Sequence, residues 1–154
     1  MKTKHIEVSH TFNAASQELY AIISDFKKGL PSILPKKYFT GWEVEKGGNG
    51  AGTIVNVTMT FFGKEQHFRL AVTEPKPGHE LVETDTVTGK YTRFTFKPFD
   101  EGKQCKITID SKIPVEDGLF GYLKSLSVAN MAKRLYKSEL LALDKKITSH
   151  VKVQ

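Results

Sequence analysis

The chain has 154 residues, 39% hydrophobic and 26% charged, with a formal net charge of +6 and a single cysteine. That length supports one domain, here the whole of 1–154, with a sizeable core. Cys105 alone excludes an internal disulfide framework and any thiolate cluster for zinc.

The opening "MKTKHIEVSHTF" alternates apolar and polar residues, unlike a signal peptide, and no apolar run approaches the ~18 residues of a membrane span. A cytoplasmic protein without an integral membrane segment is expected. All but three of the 23 basic residues are lysines, spread as pairs such as Lys27-Lys28 and Lys145-Lys146. Base reading relies on the planar guanidinium fork, so this charge describes a solvated surface and no nucleic-acid partner.

In chain order, Ile6, Val8, His10 and Phe12 alternate with polar residues and predict a first strand. Ser16 is placed to cap a helix in which Leu19, Ile22, Ile23 and Phe26 recur at helical spacing. A second short helix carries Leu30, Ile33 and Leu34 and ends at Pro35. From about residue 40 the period becomes two: "FTGWEVEK", "TIVNVTMTFF", "KEQHFRLAV", "ELVETDTV", "YTRFTFKPF" and "CKITIDSKI" are separated by glycine, proline and polar turns. A long helix follows from Asp117 to Thr148, its inward stripe being Tyr122, Ser125, Ala129, Ala132, Tyr136, Leu140, Leu143 and Ile147.

The stretch "EKGGNGAGTIV" invites a nucleotide reading. A phosphate loop needs Lys and then Ser or Thr after its last glycine, opening a helix. Here Gly52 is followed by Thr53, Ile54 and Val55, β-branched residues that open a strand, so a long hairpin turn with positive backbone angles is expected.

Together these elements predict an α+β domain: about seven antiparallel strands in a curved sheet, two short helices, and a long C-terminal helix enclosing a cavity. Several stretches resemble the helix-grip superfamily of START lipid-transfer domains, birch-pollen-allergen-like proteins and bacterial polyketide cyclase/dehydrase-like (SRPBCC) proteins. "FNAASQELYAIISDF" is similar to that family's strand-to-helix passage, "WEVEKGGNGAGTIVNV" to its glycine-rich hairpin, "EPKPGHELVET" to its Pro-Gly turn, and "LLALDKKI" to the end of its last helix. The resemblance implies the helix-grip fold and hosts carriers, sensors and a few enzymes.

Candidate site residues follow from alternation. The predicted interior takes Val55, Val57, Met59 and Phe61 from one strand and Phe68 and Leu70 from the next. Phe94, Phe96, Ile107 and Ile109 come from the last two strands. Its polar members are His10, Thr84, Thr92 and Tyr136, and Ser125, Ala129 and Ala132 leave room for a pocket beneath the helix. Glu83 and Asp85 are read as facing solvent, opposite His67, Arg69 and Arg93; a slip of one residue would bury both instead.

The sequence names no carboxylate to orient His10 as a base, and His5, His67, His79 and His150 lack metal-ligand spacing. No catalytic residue, cofactor or metal is assigned, and the oligomeric state is left open. The expected function is binding or transport of a small apolar ligand: a lipid, polyketide or isoprenoid. The alternatives are a polyketide cyclase/dehydratase-type enzyme using His10 or Tyr136, and a protein-interaction module whose cavity is filled by side chains.

Overall fold

The structure, a computed structural model, describes residues 2–153, with side chains to position 149. Strand β1 (Thr3–Phe12) leads to helices α1 (Ser16–Ile23) and α2 (Gly29–Ile33). Then come β2 (Phe39–Lys46), β3 (Ile54–Phe61), β4 (Lys64–Lys76), β5 (Glu80–Asp85), β6 (Tyr91–Phe99), β7 (Gln104–Pro114) and α3 (Gly118–Val153). All seven strands form one antiparallel sheet in the order β1-β7-β6-β5-β4-β3-β2, a six-strand meander with β1 added beside its last member. This is the helix-grip arrangement expected from the period-two strands and the long terminal helix.

The alternation predicted for β3, β4, β6 and β7 holds. Val55 opposes Leu70 and Val57 opposes Phe68; Phe94 opposes Ile109 and Phe96 opposes Ile107. Directly paired residues share a face, so these side chains form one apolar surface. Phe12, Leu19, Ile23, Phe26 and the thiol of Cys105 are buried with it.

Strand β5 departs from expectation. Its register sets Glu83 opposite Val72 and Asp85 opposite Leu70, which turns both carboxylates to the inner face. Leu81, 0% exposed, takes the core position on that face, and Thr84 pairs with Ala71 and Tyr91 on the outer one. A register irregularity between Thr73 and Lys76, at the β4–β5 turn, accompanies this one-residue phase. The outer-face ion pairs are correspondingly different: Arg69 is bonded to Glu45 at 2.7 Å, and Arg93 forks onto Asp110 at 3.0 Å through two nitrogens.

Helix α1 is not capped by Ser16. Ala15 holds the cap position without a side-chain bond, and Ser16 is buried as the first helical residue. The glycine stretch is a turn, as expected. Gly47, Gly48, Gly50 and Gly52 have φ of 70, 140, 62 and 89°, values that only glycine adopts freely. The loop clasps the α1–α2 junction, with Phe26 N–H donating to the Gly48 carbonyl and Gly50 N–H to that of Ser24, both at 2.9 Å. Gly48 N–H donates to Thr53 Oγ1, Ala51 N–H to Glu74 Oε2 and Gly52 N–H to the Val72 carbonyl. These donors are spent inside the protein, which leaves no cradle for phosphate. A Cβ at Gly50 would come within 2.6 Å of Glu74 Oε2, so a larger residue there would push against the carboxylate that holds the Ala51 N–H.

Helix α3 seats Leu140, Leu143 and Ile147 in the core and packs chiefly on β1 and β7. Its first turns are different. Tyr122, expected on the inward stripe, is half exposed, as is Leu123, while Leu119 and Phe120 are more exposed still. Replacing Leu143, 0% exposed, by Ala should therefore cost about 2–5 kcal/mol in urea unfolding, whereas the same change at Leu123 should cost little.

Candidate functional site

Between the inner face of the sheet and the middle of α3 lies a cavity of about 580 Å³. It falls within the ordinary range for small-molecule sites. Phe39 and Trp42 of β2, Met59 of β3, Phe68 and Leu70 of β4, and Phe94 of β6 form its sheet wall. Leu30 of α2 and Leu34 just after it close one side, and Met131, Ala132 and Leu135 form the roof. Its rim carries exposed Phe62 and exposed lysines at 64, 90 and 112. Phe62 stands in the two-residue turn between β3 and β4 with φ 51°, beside Gly63 at φ 77°. That turn shape favours Asn-Gly, so a bulky aromatic is unusual there, and it holds its ring 93% exposed at the opening.

One region of the wall is polar: Glu83 and Asp85 from β5, Thr92 from β6, Ser111 from β7, and Tyr136 and Glu139 from α3. The Tyr136 hydroxyl donates to Ser111 Oγ at 2.8 Å and lies 3.5 Å from Thr92 Oγ1. Burial pushes Tyr136 above its ordinary pKa, against the pull of those two hydroxyls. Asp85 is half of a turn. Burial disfavours its charge, but the Thr88 hydroxyl at 2.7 Å and backbone N–H groups hold its carboxyl below the usual range.

Glu83 and Glu139 have no such support. Burial lifts Glu83 to about 7. Glu139 is raised well above a normal carboxyl, first by burial and then by the charge of Glu83. No described group donates a hydrogen bond to either, yet no fully occluded polar side-chain atom lacks a partner among the described residues. The oxygens of Glu139, a residue only 5% exposed, therefore open onto the cavity they line.

Of the residues expected at the site, Val57, Met59, Phe61, Phe68, Leu70, Thr92, Phe94, Ala132 and Tyr136 line the cavity. Val55, Phe96, Ile107 and Ile109 do not; they belong to the solid core with Leu140, Leu143 and Ile147. Thr84 faces the outside of the sheet through the β5 register. Ser125 and Ala129 are buried but do not line the space. The Ser125 hydroxyl accepts from Glu116 N–H at 3.1 Å and donates to the Gly121 carbonyl at 2.8 Å, fastening α3 to the end of β7. The pocket expected beneath Ser125 to Ala132 is thus turned around the helix, onto Val128, Met131, Ala132, Leu135 and Glu139.

His10 lies outside the cavity, and it does have a carboxylate: Nε2 is 2.7 Å from Asp144 of α3. His5 meets Asp110 at 3.3 Å and His67 meets Thr58 at 3.2 Å, both on the outer face. The His150 side chain lies outside the described residues. Among the described residues no three His, Cys, Asp or Glu side chains are placed to hold a metal ion, and no helix is long and apolar enough to cross a membrane.

A model of the polyketide cyclase/dehydrase and lipid transport family matches residues 3–148. The chain belongs to that family. Solved structures share the fold at low identity. The KanY protein superposes with a TM-score of 0.81 at 22% identity, covering 96% of this chain and 99% of its own. A START superfamily protein from Mycobacterium smegmatis gives 0.72 at 16%, covering 94% and 97%. The Zhui aromatase/cyclase from Streptomyces sp. R1128 gives 0.74 at 14%, covering 97% and 96%. No curated protein matches by sequence. At these identities the likeness establishes the fold and nothing finer.

The pocket carboxyls give a pH signature. A carboxyl raised from 4.5 to about 7 binds more protons folded than unfolded between those values, so its contribution to stability is present below 4.5 and is lost as pH rises towards 7. Glu139 contributes with the same sign, whereas Asp85, held low, contributes with the opposite one. Glu83→Gln should therefore match the parent near pH 4.5 and exceed it by on the order of 1–3 kcal/mol above pH 7. Denaturant unfolding of both proteins across that range checks it.

Proposed function

We propose that residues 1–154 form one cytoplasmic domain that binds or carries a small, largely apolar molecule in the cavity beneath α3. The observation that carries this reading is the cavity itself, about 580 Å³ with walls of aromatic and aliphatic side chains from four strands and two helices. Well-packed interiors avoid empty space of that size, and an apolar lining gives a ligand's hydrocarbon surface somewhere to leave water. The family's description, which joins lipid transport to polyketide chemistry, supports the same class of ligand. The single thiol, Cys105, buried and without a partner cysteine, accords with a reducing cytoplasm.

An acid–base enzyme of the cyclase or dehydratase type is the second reading, favoured by one observation. Glu83, Glu139 and Tyr136 bring three groups that can exchange protons into a water-poor pocket, with Glu83 poised near neutrality. His10, bonded to Asp144 away from the cavity, has no place in it. A protein-interaction module would need a filled interior, and the space beneath α3 argues against one.

Ala132→Trp tests the binding reading, because Ala132 lines the roof and its new ring would enter the space. Binding of a neutral apolar fluorophore such as Nile red should be lost while unfolding stability stays within about 1 kcal/mol of the parent. A destabilisation of about 1–3 kcal/mol, with no probe bound by the parent, would mean close packing there and would overturn the reading. If the probe binds as expected, native mass spectrometry of the purified protein identifies what the cavity holds.

A further inference from the structure

The polar region of the cavity offers a ligand more acceptors than donors, since Thr92 and Ser111 bring one hydroxyl proton each beside the carboxyls of Glu83, Asp85 and Glu139. Glu83 and Glu139 bring two carboxyls from facing elements, β5 and α3, and each becomes an acceptor-only carboxylate once it ionises. The Tyr136 hydroxyl, which could have donated, gives its proton to Ser111 Oγ at 2.8 Å and leaves only lone pairs for an occupant. Glu139 is more than nine-tenths buried, lines the cavity and has no partner among the described residues.

The other charged groups do not alter this balance. Asp85, the third carboxylate on the wall, is already bonded by Thr88. Lys64, Lys90 and Lys112 are exposed at the rim, and no lysine or arginine is among the influences on Glu83 or Glu139. Tyr91 lines the rim and carries Arg93 over its ring, directed to the outer face where Arg93 holds Asp110. Unpaired carboxylates in an apolar wall are costly unless they are protonated or meet a cation. Among the described residues no cation meets either carboxyl.

We propose that the ligand carries a protonated amine at its polar end, held by the carboxylates of Glu83 and Glu139 and the oxygen of Tyr136, with its hydrocarbon part along the β3–β4 wall. The inference rests on the ligand-binding reading above and adds the charge and donor character of the ligand. An ammonium group has three N–H donors for this set of acceptors, and its charge neutralises what the walls cannot. The aromatic faces of the wall are also compatible with a cation, since their ring quadrupoles attract positive charge. A neutral alcohol offers one donor and leaves the remaining acceptors unmatched. A carboxylate or phosphate head would be repelled. Because the bound ammonium favours ionised carboxyls, its capture should release protons, and its affinity should rise as the pH passes about 7, where Glu83 titrates.

Decylamine and decanol, equal in chain length, separate the head group from the tail. Both are titrated calorimetrically into the parent and into the Glu83→Gln/Glu139→Gln double variant, at about pH 5.5 and about pH 8.5, where the amine keeps its charge throughout. The expected result is an amine preference of at least about tenfold at the higher pH, several-fold smaller at the lower one, and absent in the variant. Decanol binding by the variant shows that its cavity is intact. Should the variant not fold, the pH dependence of the amine-to-alcohol ratio in the parent decides alone. Equal binding of amine and alcohol, or a preference that ignores pH and survives both substitutions, would overturn the cationic ligand and leave an apolar binding site standing. Failure of both compounds and of Nile red to bind would overturn the site itself.

Discussion

The structure depends on how one helix covers one face of a curved sheet. Helix α3 meets the sheet closely through Leu140, Leu143 and Ile147, and these interlock with Phe12, Phe96, Ile107 and Ile109. A straight rod cannot follow a twisted, curling surface along its whole length. Closeness at one end therefore obliges distance elsewhere, and the cavity is the distance. Ser125, tied to the chain just after β7, fixes where α3 begins and so keeps the roof from settling onto the wall.

The opposite side is fixed by polar bonds. Glu74 accepts from the Tyr20 hydroxyl at 2.6 Å and from Ala51 N–H at 2.8 Å, joining α1, the glycine loop and β4 at one carboxylate. Trp42 adds its indole N–H to the Phe26 carbonyl at 2.7 Å and stacks on the Phe26 ring. Through these contacts α1 and the α1–α2 junction are held to β4 and β2, and the cavity acquires its α2 wall. What the sequence offers as a phosphate loop serves as a hinge plate for the fold, since the N–H groups of Gly48, Gly50, Ala51 and Gly52 are bonded within the protein.

Strands and helices were legible because their apolar residues obey one period at a time. "TIVNVTMTFF" and "CKITIDSKI" alternate without conflict, and both strands lie as their alternation requires. "ELVETD" contains a conflict: Leu81 and Val82 are adjacent and apolar, and either could be the inward phase. The charge on Glu83 and Asp85 favours placing Val82 inside, and the register places Leu81 there instead. A strand that lines a pocket must carry polar residues on its inner face, so the pattern that locates a core misplaces a binding wall. The only sequence signal for this phase was the pairing of β5 with Val72 and Leu70, which depends on the turn before it. Glu139 escaped for a related reason. It neighbours Leu140 on α3, and a wheel centred on the leucines assigns a glutamate beside them to solvent. The His10–Asp144 bond joins positions 134 residues apart, beyond the reach of any local pattern.

Among the described residues, the sulfur atoms are distributed unevenly with respect to the cavity. Cys105 is sealed in the core, while Met59 and Met131 both stand on the cavity wall. An oxidant that reaches either thioether does so through the opening that admits a ligand. A sulfoxide there would place a strong dipole on an apolar surface, where a hydrocarbon tail could no longer lie without burying an unmatched acceptor. On the binding reading proposed above, an occupant of the pocket would shield both thioethers, and ligand and oxidant would compete for the same doorway.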